Sequence, residues 1–287
     1  VRLVDTPRVL DADAATELVG QRAPAMHPTP ELMLTDGQPV GCRDENGDVV
    51  LVIARMPDDV TDEFHGILPG MKMRTTLRSG AGYRNQSLVF GYHPRRPVLR
   101  RESCKATLLS ATQPELSGLI RRTASWAGSL LGQELPGTVE HDRATLAPVL
   151  SDWRLDDGDG DLWTSGVINK DSPMPYHRDG SNFPTWSAMP VIRSNTLGGR
   201  LHLPEYGLSV PCSDGTCVFW WGERIVHGVT PMTVRRGGYR FSVVYYAMRG
   251  MKDCATFAVE QAEGARRRAV REVSIAADIR ERKPANS

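Results

Sequence analysis

The stretch PYHRDGSNF, residues 175–183, places His177 and Asp179 two positions apart, just ahead of a Gly-Ser-Asn turn signal. Residues i and i+2 of a strand leave the same face, so an imidazole and a carboxylate at this spacing can reach one ion. Alone the pair is half a metal site, and an exposed His beside an Asp equally well solvates a loop. A third ligand stands 48 residues after Asp179, where His227 occupies the strand-like segment RIVHGVTP. That separation leaves room for several short strands to return beside the first. Two imidazoles and a carboxylate on one face of a metal leave three positions open, which suits a non-haem Fe(II) that must hold a co-substrate and O2 together. In isolation His227 reads as a satisfied core histidine; the next segment changes the weighing.

Arg240 follows 13 residues later in GGYRFSVVYYAMR. Period-two alternation sets Arg240, Ser242, Val244, Tyr246 and Met248 on one face of a strand. A guanidinium turned into an apolar interior is costly without an anion. A dicarboxylate resolves the cost: 2-oxoglutarate can take a bidentate pair from Arg240, with help from the Ser242 hydroxyl, while its keto-acid end chelates iron. The bland alternative is an Arg paired with a structural carboxylate. HxD, a distal His and RxS together make a specific constellation from three weak parts.

These residues need a β-rich scaffold, and the pattern from about 160 to 250 supplies one. WSAMPVIR, GGRLHLP, YGLSV, DGTCVFWW, RIVHGV and YRFSVVYYAMR are short strand-like pieces separated by turn residues, which predicts an antiparallel sandwich or barrel. Upstream, VGCR and VVLVIA flank DENGD, where Asn46-Gly47 predicts a type I′ hairpin. Thr112 and Glu115 form a capping-box pattern ahead of Leu116, Leu119, Ile120, Ala127, Leu130 and Leu131, a helical stripe ending at Gly132. Near the C-terminus Val259, Ala262, Ala269, Val270, Val273 and Ala277 recur at helical spacing with Arg on the opposite side, predicting a surface helix. The expected organisation is an N-terminal α/β extension over 1–110 packed on a core over 111–287, with a support helix at 112–132, the whole forming one compact unit.

With 287 residues, 40% of them apolar and 24% charged, the chain can bury a substantial core. No apolar run approaches the roughly 20 residues of a membrane span, and VRLVDTPRVL lacks a secretory apolar stretch, so the expected compartment is cytoplasmic. Cys42, Cys104, Cys212, Cys217 and Cys254 form neither a CxxC pair nor an even framework and are expected to be reduced. From Met71 to Lys105 there are nine basic residues (Lys72, Arg74, Arg78, Arg84, Arg95, Arg96, Arg100, Arg101, Lys105) against one acid, Glu102. Such a tract serves either as a solvated face or as a nucleic-acid backbone surface. The aspartates at 152, 156, 157, 159 and 161 lack the Gly and Glu of a calcium loop and are expected to be a solvated turn. Gly198-Gly199 and Gly237-Gly238 are expected to be tight β-turns, the tryptophans at 163, 186, 220 and 221 core or rim aromatics, and His202 solvent-facing. The histidines at 27, 65, 93 and 141 show no ligand spacing.

His177, Asp179, His227 and Arg240, in this order through a β-rich segment, resemble the Fe(II)/2-oxoglutarate dioxygenases over about a third of the chain. That resemblance implies a mixed α+β, mainly β fold with a double-stranded β-helix (jelly-roll, cupin-like) core flanked by helices, and Fe(II), 2-oxoglutarate and O2 as cofactors. More narrowly, HRDGSN is similar to the H-R-D-x-x-N of the ten-eleven translocation and J-binding protein group, which oxidises the 5-methyl group of pyrimidines in DNA. WTSGVINKDSPMPYHRDGSNF, GGRLHLPEYG, HGVTP and RFSVVYY fit the microbial and phage members of that group, implying an activity near DNA in a microbial or phage-infected cell.

By the same resemblance Asn182 would contact the base, Tyr246 would stack on it, and an N-terminal Arg would reach the pocket, with Arg84 the candidate and Arg74 and Arg78 competing. Met248 stands where the animal enzymes carry a base-contacting His, and their cysteine-rich zinc region is absent. The implied substrate is 5-methylcytosine in double-stranded DNA with the base flipped out. Thymine in DNA, or a free small molecule or amino acid, is the alternative, and a binding module without catalysis is the third class.

Overall fold

The computed structural model describes residues 1–78, 83–99, 101–156 and 158–282, with side chains described for all of these except 76–78, 83–84 and 281–282. Among the described residues the strands are β1 (Arg2–Asp5), β2 (Val40–Arg43), β3 (Val49–Arg55), β4 (Arg74–Arg78), β5 (Tyr83–His93), β6 (Lys105–Ala106), β7 (Ser165–Lys170), β8 (Met174–His177), β9 (Ser187–Gly198), β10 (Leu201–Leu203), β11 (Leu208–Val210), β12 (Thr216–Trp220), β13 (His227–Val229) and β14 (Met232–Tyr246). The helices are α1 (Ala12–Thr16), α2 (Asp58–Ile67), α3 (Leu108–Thr112), α4 (Pro114–Glu134), α5 (Pro136–Thr145) and α6 (Phe257–Arg282).

From β7 onward the chain switches repeatedly between two sheets, the weave of a jelly roll. The larger sheet runs β1-β2-β3-β12-β9-β14-β7-β5-β4, with β6 on β5, and the smaller runs β11-β10-β13-β8. N-terminal strands extend the larger sheet on both sides, β3 beside β12 and β5 beside β7. Burial explains the composition of the central strands. β12, TCVFW, is buried throughout because Cys217 and Phe219 face a core shared with α2 and α4, while Val218 and Trp220 face the core between the sheets. Gly198 and Gly199, both at positive φ, make the crossing from β9 in one sheet to β10 in the other. Gly237 and Gly238 instead sit within β14, where the register to β9 shifts, so they form an irregularity inside a strand and not a turn between strands.

Several local expectations need correction. The β2–β3 hairpin is present, but only Gly47 of the Asn46-Gly47 pair has positive φ, and Gly47 donates its N–H to the Asp44 carbonyl. Asp44 Oδ1 also accepts from the amides of Asn46 and Asp48, so a carboxylate organises a longer loop in place of a type I′ turn. Thr112 does not cap α4: it ends α3, bonding back to the Leu108 carbonyl, and Gln113 precedes Pro114 at the first helical position. The aspartate cluster is structural. Asp156 accepts from Ser125 and from the amides of Gly158 and Gly160, Asp161 pairs with Arg143 and Arg154, and Asp152 accepts the Phe257 amide; Asp157 lies outside the described residues.

Helix α6 docks on the opposite face from the one its apolar stripe suggests. Val259, Val270, Val273 and Ile279 are exposed, and the side turned inward carries Glu260, Gly264, Arg267 and Arg271. Polar contacts hold it: Glu260 accepts the amides of Cys104 and Ala255, and Arg271 pairs with Glu102. Cys104 and Cys254, expected to be free thiols, are joined in a disulfide with Cα atoms 5.9 Å apart; Cys42, Cys212 and Cys217 remain free and buried. The pair stands 150 residues apart in sequence, where spacing carries no signal. Among the described residues no helix is long and apolar enough to cross a membrane.

Closing so large a loop constrains the unfolded chain, so Cys104→Ser is expected to lower the unfolding free energy by about 2–4 kcal/mol. Urea denaturation of the oxidised protein and the variant measures it, and equal stabilities would show that the sulfurs are not bonded.

Candidate metal centre and its cavity

β8 and β13 are adjacent antiparallel strands whose register sets His177 directly opposite His227, with ring centroids 4.3 Å apart. Asp179 lies past the end of β8, so the pair is not carried on one strand face as its spacing suggests. A loop returns it. The Asp179 amide donates to the Gly222 carbonyl (2.9 Å), and the Asn182 amide donates to the Asp179 carbonyl (2.9 Å). The carboxylate then stands 3.6 Å from His177 Nε2 and 3.9 Å from His227 Nε2. One donor atom from each residue lies within 4.8 Å of the other two, which is the geometry of a three-ligand ion site.

Backbone carbonyls orient both imidazoles in the same way. His177 Nδ1 is 2.8 Å from the Pro175 carbonyl and His227 Nδ1 is 2.9 Å from the Ile225 carbonyl. A carbonyl can only accept, so each Nδ1 carries a hydrogen and each ring turns its Nε2 toward Asp179. Burial, with His177 alongside and Asp179 opposing, pushes His227 down to about 4, so it is neutral at physiological pH. Gly222 carries no signal in the sequence. A Cβ there would lie 2.6 Å from Asp179 Oδ2 and 3.1 Å from Ser187 Oγ, so a side chain would displace the Asp179 carboxylate.

A cavity of about 170 Å³ between the sheets carries the three donors and is lined by Asn169, Met189, Trp220 and Tyr246 of the larger sheet, Leu201 and Val229 of the smaller, and Asn182 and Met248. Ser242 and Val244 line it from β14, and Arg240 occupies the next inward position beyond Ser242. Arg240 is 1% exposed, and its Nε and Nη2 have no hydrogen-bond partner. Gly199 lets the chain pass close against it, since a Cβ there would sit 2.8 Å from Arg240 Cδ. Among the described residues no carboxylate pairs with the guanidinium, although Asp171 Oδ1 accepts the Arg240 backbone amide (2.7 Å); the cross-strand neighbour of Arg240 is Arg193, whose own pKa is lowered by burial and then by Arg240. A buried guanidinium with two unbonded nitrogens is a demand for an anion. The donor set and this cradle fit Fe(II) and 2-oxoglutarate respectively.

The structure thus gathers His177, Asp179, His227, Ser242, Asn182 and Tyr246 around one cavity, with Arg240 behind it. Asn182 is buried and forms a β-bridge with Met248. Arg84 pairs with Leu77 in the β4–β5 hairpin, and its side chain lies outside the described residues. Trp220, marked by the sequence only as a core or rim aromatic, is buried, packs edge-on against the His227 ring at 5.3 Å and lines the cavity. His202, expected in solvent, is buried, with Nδ1 bonded to the Tyr176 hydroxyl at 2.7 Å, because the N-terminal segment covers the outer face of the smaller sheet. Of the remaining histidines, His65 bridges Tyr239 and Asp214.

Among solved structures, NgTET1 in complex with 5mC DNA superposes with a TM-score of 0.56, at 16% identity over 86% of this chain and 95% of that one. The chain shares its fold with this TET homologue. An oxidoreductase of the 2OG-Fe(II) oxygenase family from Burkholderia pseudomallei overlaps less closely, with a TM-score of 0.40 and 14% identity over 69% of this chain and 88% of that one. A bsmA homolog from Methylobium petroleophilum gives 0.37 and 14% over 68% and 83%. No family model matches the chain, and no curated protein does.

Two variants test the geometry. Gly222→Ala is expected to weaken Co(II) binding at least about tenfold by pushing Asp179 aside, read by titration; unchanged affinity would contradict the ligand role of Asp179. Arg240→Met removes an unpaired buried charge, so the ligand-free protein is expected to gain about 1–3 kcal/mol while losing the rise in melting temperature that 2-oxoglutarate gives the parent. A destabilised variant that keeps the 2-oxoglutarate response would contradict the cradle.

Proposed function

We propose that this chain is an Fe(II)/2-oxoglutarate-dependent dioxygenase that oxidises the 5-methyl group of a pyrimidine in DNA, 5-methylcytosine foremost. The observation that carries the proposal is a single cavity with three metal-type donors on its wall and a buried guanidinium without a counter-ion behind it. His177 and His227 would hold the metal through Nε2 and Asp179 through its carboxylate. Arg240 and Ser242 would hold the distal carboxylate of the keto acid. When bound, Fe(II) with 2-oxoglutarate and O2 supplies C–H oxidation, one oxygen atom entering the methyl group and the other the succinate formed with CO2. The chain's own contribution is placement and exclusion of water, and Val167, Val244 and Trp220 supply the apolar wall for it.

Support for DNA comes from charge and from the neighbour in complex with 5mC DNA. Glu102, the only acid of the basic tract, is drawn off by Arg271 of α6. Among the described residues Lys72, Arg74, Arg95, Arg96, Arg101 and Lys105 enter no ion pair with an acid. The loop bearing Arg95, Arg96 and Arg101 sits near the cavity wall: Pro94 packs on Gly250, and the adjacent Arg249 amide bonds to the Ser181 carbonyl. Phosphates flanking a flipped base would meet these cations while Tyr246 stacks on the base and Asn182 reads its polar edge. Met248 brings a thioether where the animal enzymes place an imidazole, so the edge it faces is read by shape and not by a hydrogen bond.

Incubation of methylated duplex DNA with the protein, Fe(II), 2-oxoglutarate and ascorbate, followed by nucleoside mass spectrometry, is expected to show 5-hydroxymethylcytosine. Succinate formation from a free small molecule with no oxidised nucleoside would favour a small-molecule hydroxylase with the same centre. Reversing Arg95, Arg96 and Arg101 to Glu is expected to weaken DNA binding and to reduce the slope of log K against log salt by about one for each phosphate no longer neutralised; an unchanged slope would leave the tract without a role in binding.

A further inference from the structure

Arg178 stands between His177 and Asp179 in H-R-D, just past the end of β8, and its side chain does not line the cavity. It is held by acceptors from distant parts of the chain. Nε donates to the Arg224 carbonyl (2.8 Å), Nη1 to Thr16 Oγ1 (2.6 Å), and Nη2 to the Ala12 carbonyl (3.2 Å) and Glu205 Oε1 (3.3 Å). Glu205 is the unusual member. It sits in the single-turn 3-10 helix Pro204–Tyr206 and is only 2% exposed. The same Oε1 accepts the Val226 amide (3.0 Å), one residue before His227, and Oε2 pairs with Arg8 (3.4 Å).

One carboxylate therefore touches the backbone neighbour of His227 and the side chain that separates His177 from Asp179. The N-terminal arm closes the arrangement from outside. The amides of Val9 and Leu10 donate to the Glu205 carbonyl, the Gly20 amide to the Tyr176 carbonyl, and the Tyr176 amide to the Gln21 carbonyl. Burying a carboxylate is costly unless it is paired and bonded. Here two guanidiniums and an amide meet that need, and breaking the set would leave charges uncompensated behind the ligand strands.

We propose that Glu205 is a positioning residue for the metal centre, aligning the backbone beside all three ligands, and that residues 8–21 brace it; the proposal rests on the metal assignment above. It predicts that ligand geometry, and not fold stability alone, depends on a carboxylate that never approaches the ion.

The test is a Co(II) titration of the full chain followed by ligand-field absorption, with melting temperature recorded in parallel. Glu205→Gln is expected to bind Co(II) about tenfold or more weakly, with altered band shape. Parental affinity and spectrum, even with a lowered melting temperature, would overturn the proposal and leave Glu205 a fold-stabilising ion-pair partner. His177→Ala serves as the control: if it binds as the parent does, or the parent binds nothing, the metal assignment falls and this proposal with it. Should Glu205→Gln fail to fold, Arg8→Gln at the half-exposed end of the network is expected to weaken Co(II) binding in the same direction by less, and unchanged affinity there would also overturn the proposal.

Discussion

The pairing of β8 with β13 is the constraint on which the cavity depends. With His177 opposite His227, both imidazoles enter the space between the sheets from one side. A slip of one residue would turn one of them onto the outer face, where the N-terminal segment packs. Register is held by the Tyr176–His202 contact and the Glu205 network on that outer face and by the Gly20–Tyr176–Gln21 backbone bonds along the free edge of β8. Apolar residues at Leu201 and Val229 hold it on the inner face. The metal-type donors are thus arranged by groups that sit on both sides of a thin four-stranded sheet.

A second constraint is electrostatic. Arg240 and Arg193 stand at paired positions of β14 and β9, with Arg193 satisfied by the carbonyls of Gly198, Thr196 and Cys212 and Arg240 left with unbonded Nε and Nη2. The larger sheet tolerates this because both of its faces are otherwise well packed, by the α2 and α4 core on one side and the inter-sheet core on the other. Stability given up at one position for a ligand's charge is a common cost of binding sites. The same logic applies to Gly199 and Gly222, where absent side chains make room for a guanidinium and a carboxylate.

Much of the site is legible in the sequence because it is written in strand alternation. Arg240, Ser242, Val244 and Tyr246 are two apart, and the turn-punctuated strands announce two antiparallel sheets. What is not legible depends on long-range meetings. The Cys104–Cys254 bond, the bond of Arg178 to Thr16 and the proximity of Gly222 to Asp179 are set by the folded path and leave no local pattern. The C-terminal helix misleads for a related reason: hydrophobic spacing predicts the buried face only when burial is apolar, and α6 docks through Glu260, Gly264 and Arg271. Strand spacing puts Asp179 with the right partner by the wrong route, since a loop tied to Gly222 brings it in and not a continuing strand.

The most direct measurement is an anaerobic titration of the protein with Fe(II) and then 2-oxoglutarate, followed by visible absorption. A keto acid chelated to iron held by His177, Asp179 and His227 gives a charge-transfer band that saturates at one equivalent, and the account predicts that band in the parent and its loss in Asp179→Ala. Absence of the band in folded parent protein, or its persistence without the Asp179 carboxylate, would contradict the account.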